Sequence, residues 1–361
     1  MAKPFERQAA AALHVAGGSP IKTKPLAGAG FALSRLLLRR PADRKMSPLV
    51  ETILFIFGLV ALGYIAGATG YLKVQTGDAL SEFAVGVALP LLLFRTMVTA
   101  EFHGSAPWGL WGVYFSAVIV AWTAGHLLTT NVFGRDSKAG VVGGVSSAFS
   151  NIVLLGIPFM LGVFGQQGFE ELSLLISIHL PTMLMASIIL FQFFSRRDGE
   201  PMHPLVIIRD FLRRIFTNPL ILGIFLGLLW RLTGLDLPVL AMRFVDALAG
   251  IAAPLALFAM GLGLKKFGIS GNVRPAIVLS MVKLVLMPAT ALALAWAVGL
   301  PPLTAKIAVA AAALPSGVNS YLIAMQFRTG QALASNQMTI ATALAAVTMT
   351  AWMAVLQMVF G

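Results

Sequence analysis

Ten apolar stretches of near-spanning length succeed one another from Met46 onward, near 49–68, 79–99, 108–131, 140–164, 172–195, 218–234, 239–264, 275–299, 305–327 and 332–360. A helix needs about 20 apolar residues to cross the hydrocarbon core of a bilayer. Inside that core the backbone must satisfy its own polar groups, so stretches of this kind fold as membrane helices. Composition agrees: 58% of the 361 residues are hydrophobic and 11% are charged, with a mean hydropathy of +0.87, against about 25% charged in ordinary soluble domains. Ten spans with short connections leave no room for a large cytoplasmic catalytic or nucleotide-binding domain. The expected fold class is therefore all-α, a polytopic membrane protein of about ten transmembrane helices.

Residues 1–45 are unlike the rest. They hold nine of the 26 Lys and Arg residues, only Glu6 and Asp43 as acids, and no apolar run near spanning length. Ala9 to Val15, broken by His14, is too poor an apolar run for a secretory signal. Phe31 to Arg40 has the pattern of a short basic amphipathic helix, but the segment is expected to be a disordered extension, with Met46 as the functional start. The longest polar stretch, Arg196 to Thr217, divides the ten spans into residues 46–195 and 218–361, joined by a cytoplasmic loop at 196–217.

These two halves resemble each other. Ala88-Leu89-Pro90-Leu91-Leu92-Leu93-Phe94 in span 2 and Ala252-Ala253-Pro254-Leu255-Ala256-Leu257-Phe258 in span 7 agree at five of seven positions, 164 residues apart. At nearly that spacing the glycines of span 1 (Gly58, Gly63, Gly67) match Gly223 and Gly227 of span 6, and the polar-interrupted span 4 matches span 9. Two five-helix repeats are expected. The basic residues set their orientation. Loops 1–2, 3–4, 5–6, 7–8 and 9–10 carry twelve Lys and Arg, whereas the opposite loops carry Arg231, Arg243 and Lys306. The positive-inside rule makes the first set cytoplasmic, so the start of span 1 and the C-terminus face outward. An odd number of helices per repeat then inserts the second repeat upside down, a build common among secondary transporters. The net charge of +12 is read as an insertion signal, and no nucleic-acid partner is expected.

Span 4 carries the polar run Ser146-Ser147-Ala148-Phe149-Ser150-Asn151 and is expected to break at Gly156-Ile157-Pro158; span 9 is interrupted at Leu314-Pro315-Ser316-Gly317-Val318-Asn319. A proline lacks the amide hydrogen and its ring collides with the carbonyl four residues back, while glycine tolerates an unwound turn. Broken backbone at membrane depth survives only where protein or water satisfies it. Two matched breaks therefore predict a polar cavity onto which half-helix N-termini, with their partial positive charge, present amides suited to a carboxylate. Asn151 and Asn319 add side-chain donors. Lys283, deep in span 8, is a candidate counter-charge for an anion. His179, beside Pro181 in span 5, is a candidate proton relay. Asp246 is expected to pair locally with Arg243, and Arg95 to reach an interface. The G-x-x-x-G spacings at 63/67, 140/144 and 223/227 mark close helix packing. Zero cysteines exclude a disulfide framework, a thiolate metal site and a cysteine nucleophile. The five histidines lack metal-ligand spacing, no catalytic motif is present, and no cofactor is expected.

With these residues in view, the chain resembles the auxin efflux carrier family, which includes plant auxin exporters and bacterial malonate or malate permeases. The resemblance covers about 46–361 and rests on Gly63-Tyr64-Ile65-Ala66-Gly67, the motif at 88–94, Asn151 with Gly156-Ile157-Pro158, Pro254-Leu255-Ala256-Leu257-Phe258-Ala259-Met260-Gly261, Lys283 with Pro288, and Leu314 to Asn319. It implies a scaffold of helices 1, 2, 6 and 7 and a transport domain in which broken helices 4 and 9 cross over the substrate. Asn151, Pro158, Pro315, Ser316, Gly317 and Asn319 would lie at that crossing. The expected function is a secondary transporter of small organic anions, mono- or dicarboxylates such as malonate or malate, working by alternating access in the inner membrane. The alternatives are a sodium-coupled organic-acid symporter of the same architecture, a channel or a membrane sensor. A membrane enzyme would need a nucleophile and base that the sequence does not offer. The expected partners are a small organic anion and the lipid bilayer, with a homodimer as a further option.

Overall fold

The computed structural model describes residues 47–99, 107–195, 204–267 and 273–361, with Ile269 and Gly271. The extension at 1–45, His103, Arg196, Arg197 and His203 lie outside these residues, as does the first part of the expected loop at 196–217. The described chain is helical almost throughout. Its sole β-type pairing among the described residues is an isolated antiparallel bridge between Ser150 and Ser316.

Twelve helices carry the described chain. The first is α1 (Pro48–Ala68). In α2, Val74–Phe83 passes through a π turn at Ala84–Ala88 into Leu89–Thr99. Next come α3 (Trp108–Leu127, with a π turn at Leu128–Val132), α4 (Ser137–Ala148), α5 (Gly156–Ser195), α6 (Pro204–Thr217), α7 (Pro219–Leu232) and α8 (Val239–Phe267). In α9, Arg274–Met281 passes through a π turn at Val282–Leu286 into Met287–Val298. The last three are α10 (Pro302–Ala313), α11 (Val318–Gln326) and α12 (Gln331–Phe360). Among the described residues, seven helices are long and apolar enough to cross a membrane, and an eighth crossing results if α6 and α7, bent by 67° about Asn218, count as one. The shortfall from ten has physical causes. Span 4 is split between α4 and the start of α5, span 9 is split between α10 and α11, and α5 runs on into span 5 through a left-handed residue, Gly165 at φ 66°.

Local chemistry explains where the helices start and bend. Asp136 accepts from the Ala139 amide at 2.7 Å and caps α4; Asn218 accepts from Leu220 and Ile221 and caps α7, with Pro219 at the first helical position. Pro288 lies just after the π turn of α9 and leaves the Leu284 carbonyl without its helical partner; Trp352 of α12 donates its indole N–H there at 2.8 Å.

Two helix pairs make close backbone crossings. A Cβ on Gly63 of α1 would run into the Phe258 carbonyl of α8, and one on Gly227 of α7 would lie 2.6 Å from the Phe94 carbonyl of α2. Positions 63 and 227, like 94 and 258, are 164 apart, so the crossings repeat at the spacing of the matched motifs. α2 and α8 run antiparallel and are clasped at both ends. Arg95 pairs with Asp246 at 3.2 Å, and Asp78 with Lys266 at 2.9 Å. The local Asp246–Arg243 pairing expected from the sequence is thus replaced by a bond from another helix, because Arg95 comes off α2 beside the same turn of α8. Lys265 completes this end by donating to the Gly67 carbonyl at the end of α1.

The other helices pack around α4 and α10, which are buried over nearly their whole length. Small residues allow this. Gly125 of α3 sits against Gly143 and Ser147 of α4, and Gly144 lies under Trp122. The two groups of helices meet where α5 passes α1 and α2, with Gly162 against Thr52 and Ile56 and Gln166 3.5 Å from Thr96.

Candidate functional site

α4 ends at Ala148 and α10 at Ala313, and the chain beyond each is extended for a few residues before the next helix begins. The two extended segments lie antiparallel against each other. The Asn151 amide donates to the Pro315 carbonyl at 2.8 Å, and the Gly317 amide donates to the Phe149 carbonyl at 3.3 Å. The Ser316 hydroxyl donates to the Ser146 carbonyl at the end of α4 at 2.5 Å. Each break thus satisfies backbone groups of the other, as irregular chain at membrane depth requires. A Cβ on Gly317 would come within 3.3 Å of the Asn151 side chain, which explains a glycine at the crossing.

Pro315 keeps the extended course because the residue before a proline avoids the helical region; Leu314 sits at φ −57° and ψ 142°. Pro158 lies in the first turn of α5, where a missing amide hydrogen costs nothing. The two asparagines are not geometric equivalents. Asn151 lies inside the first break; its carbonyl oxygen accepts from the Leu154 amide at 3.2 Å, and its amide nitrogen is 3.3 Å from the Met260 sulfur of α8. Asn319 is in the first turn of α11, just beyond the N-cap Gly317, and its side chain makes no hydrogen bond among the described residues.

A cavity of about 320 Å³ lies beside the crossing. Its walls come from the start of α2 (Ser81, Glu82, Val85), the first break (Phe149 to Leu154), α5 (Ile176, His179, Leu180), the start of α7 (Asn218 to Ile221) and α11 (Val318, Asn319, Leu322). Most of this lining is apolar; Ser150, Asn151 and Asn319 supply polar groups at the crossing, and Ser81, Glu82, His179 and Asn218 supply others from α2, α5 and α7. The N-terminal end of α11 lines it, while α5 begins at Gly156, just beyond the last lining residue of the break, Leu154, with the Gly156 amide donating to the Asn151 carbonyl; the first amides of α11, those of Val318 and Asn319, have no helical acceptor. Among the described residues, no lysine or arginine lines the cavity. It lies on the side of loops 1–2 and 5–6, while the α5 contacts with Thr52, Ile56 and Thr96 lie towards the opposite ends of α1 and α2.

Of the residues singled out in the sequence, Asn151, Asn319 and His179 line this cavity. Pro158, Pro315, Ser316 and Gly317 build the crossing behind it. Lys283 is elsewhere: fully buried in the π turn of α9, it donates to the Ala312 carbonyl at the end of α10, where a cation complements the helix dipole. Sequence reasoning misses Ser81, Glu82, Ser150 and Asn218. Asn218-Pro219 is readable as a helix start, but nothing in a linear sequence brings that start to the crossing. Among the described residues, no group of three or more His, Asp or Glu side chains is placed to hold a metal.

The model of the membrane transport protein family matches residues 48–353. The chain is 29% identical to a protein of Rhizobium meliloti named "Putative malonate transporter", over 84% of this chain and 95% of that one. It is 26% identical to an "Uncharacterized transporter" of Methanothermobacter thermautotrophicus, over 85% of this chain and 98% of the relative. It also shares 26% identity with the "Lysosomal cholesterol signaling protein" of Mus musculus over 62% of this chain, which is 26% of that longer protein.

Proposed function

This chain belongs to the membrane transport protein family, that of the auxin efflux carriers, and on that premise we propose that it is a secondary transporter of small organic anions. The observation that carries the reading is the pair of half-helix ends, α5 and α11, set beside one cavity at a crossing of two broken spans. Each end offers roughly half a positive charge within its first turn. The free amides of Val318 and Asn319 and the Asn319 side chain supply donors for a carboxylate, as at other helix N-termini that hold anions. Malonate enters as the first substrate to test because a relative of nearly the same length bears that name. The match to a family of membrane transport proteins over residues 48–353 favours a carrier over an enzyme.

The carrier works by alternating access. α1, α2, α7 and α8 form the scaffold, held by the glycine crossings and the ion pairs at both ends of α2 and α8. α4, α5, α10 and α11 move with the substrate, supported by α3, α9 and α12. Under the positive-inside rule the cavity faces the cytoplasm of an inner membrane, and the α5 contacts with α1 and α2 close the outer side. Lys283 acts on the site through α10, by holding the end of that half-helix. The matched 164-residue spacing of motifs and crossings supports two inverted five-helix repeats, 46–195 and 218–361.

Counterflow of radiolabelled malonate, malate and monocarboxylates in proteoliposomes containing this protein alone tests the reading. Saturable exchange without added sodium is expected. A strict requirement for sodium would replace this reading by a sodium symporter, and conductance far above carrier turnover would replace it by a channel.

A further inference from the structure

Four polar atoms gather at the back of the cavity. Both ring nitrogens of His179, the Ser150 hydroxyl and the Tyr114 hydroxyl are buried without a well-formed hydrogen bond among the described residues, their nearest polar neighbours being one another, and Tyr114 stands behind the lining residues Ser150 and His179. His179 is 1% exposed and packs edge-on against Phe149, with ring centroids 4.9 Å apart, and against Tyr114 at 5.5 Å. The Tyr114 hydroxyl lies beside the Ser150 side chain. Ser150 and His179 both line the cavity. Buried polar groups left without partners are costly, so a cluster of this kind fits a ligand that completes it.

We propose that His179, Ser150 and Tyr114 form the floor on which a substrate carboxylate lands, and that each carboxylate arrives with one proton, carried by the His179 imidazole. This rests on the reading of the crossing as a carboxylate site. Charge balance leads to the proton. The two half-helix ends contribute roughly +0.5 each. Against them stand the Glu82 carboxylate in the cavity wall and the incoming carboxylate, which leaves a deficit of about one positive charge. Among the described residues no lysine or arginine lines the cavity to supply it. The titratable and charged groups facing His179 are Tyr114 of α3, Glu82 of α2 across the cavity and Lys283 of α9, whose ammonium is within electrostatic reach but engaged with the Ala312 carbonyl. Without substrate, an imidazolium would be a buried cation with no anion against it, so proton and carboxylate stabilise each other and bind together. The imidazolium also offers two N–H donors where the neutral ring offers one, and a carboxylate only accepts.

Titration calorimetry of the purified full chain with malonate and with hexanoate, in buffers of different ionisation enthalpy at pH 7.5, counts the protons. About one proton taken up per molecule of hexanoate bound is expected, with Kd rising about tenfold per pH unit above neutrality. His179→Gln is expected to bind more weakly and take up none, and Glu82→Gln, which removes the negative charge that creates the deficit, is expected to lower the proton count towards zero. Binding without proton uptake by the unaltered chain would overturn this inference and leave the carboxylate site standing. Uptake that persists in His179→Gln would overturn the assignment to His179. Failure of the unaltered chain to bind any carboxylate would overturn the function reading as well. If His179→Gln does not fold, nitrogen NMR of labelled histidine in the unaltered chain reads ring protonation directly; an imidazole that stays neutral with malonate bound would refute the proposal.

Discussion

Asn319→Ala and Asn151→Ala are expected to part binding from folding. In the structure the Asn319 side chain makes no hydrogen bond among the described residues and stands on the cavity wall. Its removal therefore takes away a donor to the substrate and nothing else. A hydrogen bond to a charged group is worth about 1.5–3 kcal/mol, so carboxylate affinity should fall roughly 10- to 150-fold, with the melting temperature unchanged. Asn151 carries two loads. Its carbonyl oxygen caps the turn at Leu154 and its amide reaches the Met260 sulfur. Losing such a cap costs about 1 kcal/mol, so Asn151→Ala should lower thermal stability as well as affinity. Calorimetry of binding and thermal unfolding on purified, monodisperse variants measure both quantities. Unchanged affinity in Asn319→Ala, or a loss of stability there equal to that of Asn151→Ala, would refute the reasoning.

Lys283→Met leaves the Ala312 carbonyl without its donor and should reduce stability by about 1–3 kcal/mol, while carboxylate affinity changes by less than about threefold; a larger loss of affinity at intact stability would put the ammonium in contact with substrate. Gly63→Ala drives a Cβ into the Phe258 carbonyl and should sharply reduce folded protein, whereas Gly58→Ala, with nothing within 4 Å of its Cβ, should be neutral or stabilise by about 0.5–1 kcal/mol; yield and unfolding midpoint after purification check both. Because the chain has no cysteine, single cysteines introduced at Lys266 and at Gln167 report sidedness with an impermeant maleimide: the first should label only from the cytoplasm and the second only from outside.

The second break is legible in the sequence because Pro315 and Gly317 punctuate any helix; the first lies earlier than Gly156 and Pro158 indicate, since both are in the first turn of α5 and the chain already leaves α4 at Phe149. The tight crossings are legible for a related reason: Gly63 and Gly227 stand in apolar stretches where only close backbone approach makes use of a missing side chain. The pairing register is not. Asn151 and Asn319 look equivalent along the chain, yet the first break is longer, so one asparagine sits in extended chain and the other in a helical turn. The place of Lys283 is half legible. Its depth is a matter of counting, but its direction is set by the π turn at Val282–Leu286 and by the nearness of the α10 end. A sequence pairs Asp246 with Arg243 because it shows neighbours three apart and cannot show Arg95, 151 residues away. The cavity wall is least legible, since Glu82, Asn218 and His179 come from three elements that only tertiary packing brings together.

The central claim, that a carboxylate is held at the half-helix ends of the crossing, is tested most directly by a distance. Solid-state NMR of the protein in lipid, with carboxylate-labelled malonate and nitrogen-labelled asparagine, measures the separation between the bound carboxyl carbon and the Asn319 backbone amide. A hydrogen-bonded carboxylate places that carbon about 4 Å or less from the nitrogen, and a dipolar coupling of that size, lost in excess unlabelled malonate, is the expected result. Saturable malonate binding with no coupling to Asn319 would place the anion elsewhere and contradict the account.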